Sequence, residues 1–269
     1  MMFHQDYCKQ DDSKMVKTLN IYTCNWYSGH FLEANYKLIK QLNPDLKFRW
    51  LICNHNPPGY NDIVNHEEYV IFDKKNYDNN IGSISHGKGM NYLFRQAINL
   101  KLDAYYHLTL DPDFYLFRPV KNLINKIIDL NIDILGAAYV FQPSRNFKLL
   151  YYPTVFCELF NGSSVDILKL DFTSLITTKG WRQKYGFIPE VSHKIWIKMR
   201  DGYYKYHTIN GISDTNSVDI YRDDEHLFGI HIHARRCQGF PNKNKAIAKN
   251  ADEALKLLPF YYDKHKGKQ

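Results

Sequence analysis

Apolar positions in the first half of the chain fall alternately into short runs and helical stripes. The run Leu19-Asn20-Ile21-Tyr22-Thr23-Cys24 predicts a first strand. Leu32, Tyr36 and Ile39, at i, i+4 and i+7, predict a helix over 28–42, which Asn43-Pro44-Asp45 stops. Phe48 to Cys53 and Tyr69 to Phe72 read as two further strands. Met90, Leu93, Phe94, Ala97 and Ile98 mark a helix over 87–100, and Tyr105 to Leu110 a fourth strand. A helix over 120–130 and a fifth strand over 132–140 complete the series. Such alternation predicts an α/β fold with a mostly parallel sheet flanked by helices. After about residue 141 Pro143, Pro153, Gly162, Gly180, Gly186 and Pro189 break the rhythm. A late strand is expected over 227–233, and Ile247, Ala251, Ala254, Leu255 and Leu258 predict a closing helix.

Composition adds bounds. The chain has 269 residues, 44% hydrophobic, enough for a sizeable core. No repeat or Gly/Ser-rich linker divides it, so residues 1–16 read as a polar leader and 17–269 as one domain. The formal charge of +7 is spread along the chain and suits an anionic ligand or an anionic membrane surface. With no basic helix and no aromatic RNA-binding motif, nucleic acid is not an expected partner. Cys8, Cys24, Cys53, Cys157 and Cys237 form no C-x-x-C pair, which favours a reducing compartment and a cytoplasmic location. No apolar stretch approaches the roughly 20 residues of a membrane span, which leaves peripheral membrane contact open.

The strongest chemical signal is Leu108-Thr109-Leu110-Asp111-Pro112-Asp113-Phe114. An apolar strand runs into two aspartates separated by one residue, and on an extended chain such residues point the same way. Both carboxylates could then face one divalent cation at the strand's C-terminal end, the edge where open α/β sheets bind ligands. Mg2+ or Mn2+ takes such oxygen ligands and fills its other positions with water and phosphate. An Asp-Pro-Asp turn with no ligand is the competing reading.

Three segments in this order resemble the GT-A fold glycosyltransferases, in particular family 2. They are Ile21 to Trp26 with Phe31-Leu32-Glu33, His86-Gly87-Lys88-Gly89-Met90-Asn91, and the Asp-x-Asp run. The resemblance covers about 17–140 well and the remainder loosely. It implies a Rossmann-like, GT-A-like sheet whose first half (about 17–140) binds a nucleotide sugar of the UDP or GDP type. The irregular second half (141–260) would receive a glycan acceptor. It further implies Mn2+ or Mg2+ on Asp111 and Asp113, with a late histidine, His231 or His233, as another ligand. Donor contacts are expected from Thr23, Asn25, Asn54, His86, Lys88, Asn91, Asp111 and Arg235. Family members usually carry an aspartate after the second strand; here Cys53-Asn54-His55-Asn56 has no acid, and Asn54 or Asn56 would serve as neutral groups.

The residues also have physical readings of their own. Gly87 and Gly89 at a helix start would let the backbone approach an anion at the helix N-terminus, with Lys88 adding charge. A plain loop that begins a helix is the alternative. In the late strand His231, His233 and Arg235 would share one face, with Ile230, Ile232 and Ala234 on the other; a solvated strand side or a His-x-His zinc site compete. Arg235 or Arg236 could clamp a diphosphate bidentately.

An inverting transfer needs a carboxylate to deprotonate the acceptor hydroxyl. Glu190 is the expected base, Asp224 in Asp223-Asp224-Glu225 the second candidate, and Glu158 a third. Tyr151, Tyr152, Trp181 and Tyr185 could stack on a sugar, or fill the core. Two other functions fit the same features: a nucleotidyltransferase on a related fold, and a degenerate module that binds glycan or nucleotide without turnover. Against the first, the opening strand leads into no glycine-rich phosphate loop. Against the second, both aspartates are present.

Overall fold

A computed structural model describes residues 18–73, 82–138, 152–173, 191–215, 218–224 and 226–232. Its strands are β1 (Leu19–Asn25), β2 (Phe48–Asn54), β3 (Tyr69–Asp73), β4 (Tyr106–Leu110), β5 (Phe114–Leu116), β6 (Ile134–Ala137) and β7 (Cys157–Asn161). They continue as β8 (Tyr206–Ile209), β9 (Gly211–Thr215), β10 (Val218–Asp223) and β11 (His226–Ile232). The helices are α1 (Gly29–Leu42), α2 (Gly82–Asn99), α3 (Val120–Leu130) and α4 (His193–Arg200).

Seven strands form one sheet in the order β3-β2-β1-β4-β7-β6-β8, and only β7 runs against its neighbours. The expected mostly parallel sheet flanked by helices is therefore present. Helices α1 and α3 cover one face, where Leu32, Ile39, Leu123 and Ile127 meet Ile21, Trp50 and Leu108. Helices α2 and α4 cover the other, where Leu93, Phe94, Ile195 and Trp196 meet Tyr22, Leu51 and Phe160. Burial on both faces explains why β1, β2 and β4 read as nearly continuous apolar runs.

A second sheet, β5-β11-β10-β9, is antiparallel throughout. Its Tyr115, Ile220, Ile230 and Ile232 pack on Phe31 of α1, whose opposite face already serves the large sheet. Helix α1 is thus wedged between the sheets.

Two expectations change here. Helix α2 begins at Gly82, so Gly87 and Gly89 lie inside it and present no helix N-terminus to an anion. Gly89 is there for packing: a Cβ would sit 2.6 Å from Cys24 Sγ and 2.7 Å from His55 Nε2. Secondly, Asp111 to Asp113 form a turn between β4 and β5, not an extended segment, so the same-side argument for the two carboxylates does not hold. The expected closing helix, with Tyr151, Trp181 and Tyr185, lies outside the described residues.

Candidate active site

The Asp111-Pro112-Asp113 turn stands at the C-terminal edge of β4, next to the C-terminal end of β1. Four elements hold its backbone. Thr23 Oγ1 on β1 donates to Leu110 O at 2.6 Å and accepts from Trp50 Nε1 at 2.8 Å. Asn35 of α1 donates to Pro112 O at 2.8 Å. Asp111 N donates to Phe156 O at 2.9 Å, just ahead of β7. Ile232 N on β11 donates to Asp113 O at 2.8 Å. A turn so tied holds its side chains in place without help from a ligand.

Each aspartate faces a histidine from a different element. His86 Nε2 of α2 lies 3.2 Å from Asp111 Oδ1, and both side chains keep some access to solvent. His231 Nε2 of β11 lies 3.4 Å from Asp113 Oδ1. His231 is buried and stacks on Phe156, with ring centroids 4.6 Å apart. The sequence thus names four residues, His86, Asp111, Asp113 and His231, that the fold gathers at one edge. His231 of the histidine strand is buried with its ring against Asp113, while His233 and Arg235, which would share its face, lie outside the described residues.

Two acid oxygens and imidazole nitrogens form a donor set that Mn2+ or Mg2+ accepts. Among the described residues no group of three or more His, Cys, Asp or Glu side chains converges to enclose an ion. The described residues therefore offer a carboxylate edge. Such an edge fits a cation that keeps waters and substrate phosphates as its other ligands.

Other expected donor contacts have different employment. Thr23 is fully buried, with its hydroxyl used on both sides as described. Asn25 is fully buried too; its amide donates to Asn54 Oδ1 at 3.1 Å and Asp62 Oδ1 at 3.0 Å, and its oxygen caps Ser28 N. Asn91 holds the 171–173 segment, accepting from Phe172 N at 2.8 Å and donating to Asp171 and Thr173. Lys88 is exposed on α2. Asp224 is exposed at the β10–β11 hairpin, seven residues from His231 and at the far end of β11, roughly 20 Å away at strand rise. Glu190, His233 and Arg235 lie outside the described residues.

The sequence reading missed an acid near α1. Asp62 accepts from Asn25, from Asn56 Nδ2 at 2.6 Å and from Gly29 N at 2.9 Å, so a carboxylate does stand in the loop after β2. It follows Pro57-Pro58-Gly59, which hid it from a search of the four residues after the strand. Asn25, Asn54 and Asp73 are register partners at the ends of β1, β2 and β3, and Asn54 Nδ2 donates to Asp73 Oδ1 at 2.9 Å. Asp73 is the exposed acid of that row. Its place at a strand's C-terminal end was the available signal.

Glu158 of β7 is a different kind of acid. It is completely buried, two rows below Asp111, with Thr109 and Gly136 as its register partners. Ser192 Oγ donates to its Oε2 at 3.3 Å, and Oε1 has no hydrogen-bond partner among the described residues. Burial pushes its carboxyl up to about 8. Cys157 lies within electrostatic range of both Glu158 and Asp111, and burial holds His193 and His107 down to about 4. Between the usual carboxylate range and about pH 8 the folded chain keeps a proton that the unfolded chain has released. That contribution to stability is full below the unfolded pKa and declines as pH rises to about 8. The two histidines act oppositely, but only below about pH 6.5. Between pH 6.5 and 8, Glu158→Gln should therefore flatten the loss of stability seen in the parent, by at most about 1.4 kcal/mol per pH unit. Urea unfolding at four pH values would show it; parallel curves would place the Glu158 ionisation elsewhere.

No protein-family model matches the sequence, and no curated protein is similar to it. Solved structures are. The mannosyltransferase PcManGT from Pyrobaculum calidifontis, in complex with GDP-Man and Mn2+, shares 9% identity over 71% of this chain, with a TM-score of 0.45. The chain spans about half of that protein, 54%. The galactosyltransferase LgtC, in complex with donor and acceptor sugar analogs, shares 16% identity over 72% of this chain and 73% of its own, with a TM-score of 0.40. A third, involved in glycosylation of the major capsid of PBCV-1, shares 14% identity over 72% of this chain and 82% of its own, with a TM-score of 0.42. All three are glycosyltransferases. No helix among the described residues is long and apolar enough to cross a membrane.

Proposed function

We propose that the chain is a metal-assisted glycosyltransferase that moves a sugar from a nucleotide diphosphate donor to a hydroxyl acceptor with inversion. The observation that carries this reading is the anchored Asp111-Pro112-Asp113 turn, flanked by His86 and His231, at the C-terminal edge of a mostly parallel sheet. That edge is the ligand-binding side of open α/β sheets.

Asp111 and Asp113 would hold Mn2+ or Mg2+, with His231 behind Asp113 and His86 behind Asp111. The bound ion would neutralise charge on the departing diphosphate. The protein's own residues divide the remaining tasks. The exposed carboxylate of Asp73 can accept from ribose hydroxyls or a base N–H. Asn25, Asn54 and Asp62 keep that row and the start of α1 rigid. Glu190 takes the acceptor's proton, and Arg235 and His233 complete the diphosphate site. The donor is of the UDP or GDP type, and the acceptor a glycan or other hydroxyl compound.

Calorimetric titration of UDP and GDP tests the reading. Binding is expected with Mn2+ present and is lost on adding EDTA. Equal affinity in both conditions would exclude a metal-held diphosphate.

A further inference from the structure

We propose that Glu158 is a positioning residue of this site: its buried carboxyl ties the start of α4 to the strand beside the Asp111 turn. The inference rests on the transferase reading for its functional part, and on geometry for the tie itself.

Three observations meet at Glu158. The first is the backbone. Phe156 O, two residues earlier, accepts from Asp111 N, and Glu158 pairs with Thr109, two residues before Asp111. The strand carrying Glu158 therefore fixes the height of the metal turn. The second is Ser192, which donates to Glu158 Oε2 at 3.3 Å. Ser192 is fully buried and left-handed, with φ 70°, at the position that begins α4. A non-glycine residue persists in that conformation only where its surroundings hold it. The third is Gly136 across the strand, where an added Cβ would lie 2.5 Å from Cys157 O and 3.0 Å from Glu158 Cα, so β6 packs closely on the backbone that carries Glu158.

The arrangement has a use. Ser192 stands two residues after Glu190 in the chain. A base must sit within hydrogen-bond reach of the acceptor hydroxyl, and small misplacements cost much of the rate. Glu158 links the element that would carry the leaving group to the chain segment that would carry the base.

The test compares Glu158→Ala, Glu158→Gln and Ser192→Ala in the full chain, with UDP-glucose and GDP-mannose as donors and Mn2+ present. Glu158→Ala and Ser192→Ala should lower kcat by about 10- to 100-fold, the scale of a displaced reacting group, with UDP or GDP affinity unchanged. Glu158→Gln keeps a side chain of the same shape with an oxygen that can accept from Ser192, and should restore most of kcat. A Gln variant as slow as the Ala variant would mean that the proton itself is used, and would overturn a positioning role. So would Ser192→Ala at parental kcat. If the parent turns over neither donor, the transferase reading loses its support and the tie is read separately by amide hydrogen exchange. Glu158→Ala should then speed exchange both at 192–196 and at 111–114, while Glu158→Gln does not. Unchanged exchange at either segment in the Ala variant refutes the tie.

Discussion

Asp113→Ala should reduce Mn2+-supported binding of nucleotide diphosphate by more than about a hundredfold while the chain stays folded. Loss of a residue that merely orients a metal ligand costs about 10- to 100-fold, and removal of a ligand should exceed that. The fold should survive because the turn does not depend on this carboxylate. Its backbone is held through Asp113 O, Pro112 O, Asp111 N and Leu110 O, none of which changes. Among what the variant loses locally is the contact with His231; a lost contact to a buried polar group costs about 1 to 3 kcal/mol. Asp113→Asn keeps the shape and removes the charge, so it should fail equally in metal-supported binding with less loss of stability. Calorimetry and thermal unfolding on the same samples separate the two effects. Parental affinity in both variants would remove Asp113 from the metal site.

The second large effect is expected of Glu190→Gln, which should lower turnover by about two to four orders of magnitude, the range for losing a general base. A sugar hydroxyl is a weak nucleophile until its proton has somewhere to go. The acceptor approaches opposite the departing diphosphate, so a residue that holds the metal cannot also be the base. Of the other two candidates, Asp224 stands at the far end of β11 and Glu158 is buried in the core. Donor affinity should barely move, since the carboxylate acts in the transition state. Single-turnover kinetics with saturating donor would show the loss directly. Parental turnover in Glu190→Gln together with loss in Asp224→Asn would move the base to the hairpin. Loss in neither would favour a retaining transfer without a protein base.

Strands β1 to β4 and β6 and the first three helices were legible because they bury one or two faces in regular periods. Leu93, Phe94 and Ala97 mark α2 as clearly in sequence as in the core. The start of α2 was not legible: Gly82, Ser83 and Ser85 carry no apolar period, and two glycines inside a helix read as its beginning. Strands β5, β7, β8, β9 and β10 were missed for another reason. Each is only three to six residues long, and pairing partners far along the chain decide its state. At the site, residue types carried the signal and their geometry did not. Asp111, Asp113, His86 and His231 were all named, yet nothing local shows that each acid faces a histidine of a different element. Thr23 and Asn25 were named for the donor because they sit at the end of β1. The fold spends their hydrogen bonds on holding the edge together.

The Asp turn lies on a seam. Asp111 N is bonded to the segment that opens β7 of the large sheet, whereas Asp113 O is bonded to the last residue of β11 in the small one. The partners are 45 and 119 residues further along the chain. A nascent polypeptide that has reached residue 140 therefore carries both aspartates with the Thr23 and Asn35 bonds to their turn, and lacks the two from Phe156 and Ile232. A fragment cut there, however natural a boundary the change of rhythm suggests, would also expose the edge of β4 where β7 belongs. Swapping the second half for that of another protein would therefore disturb the Asp turn as well, because two of its backbone bonds come from that half.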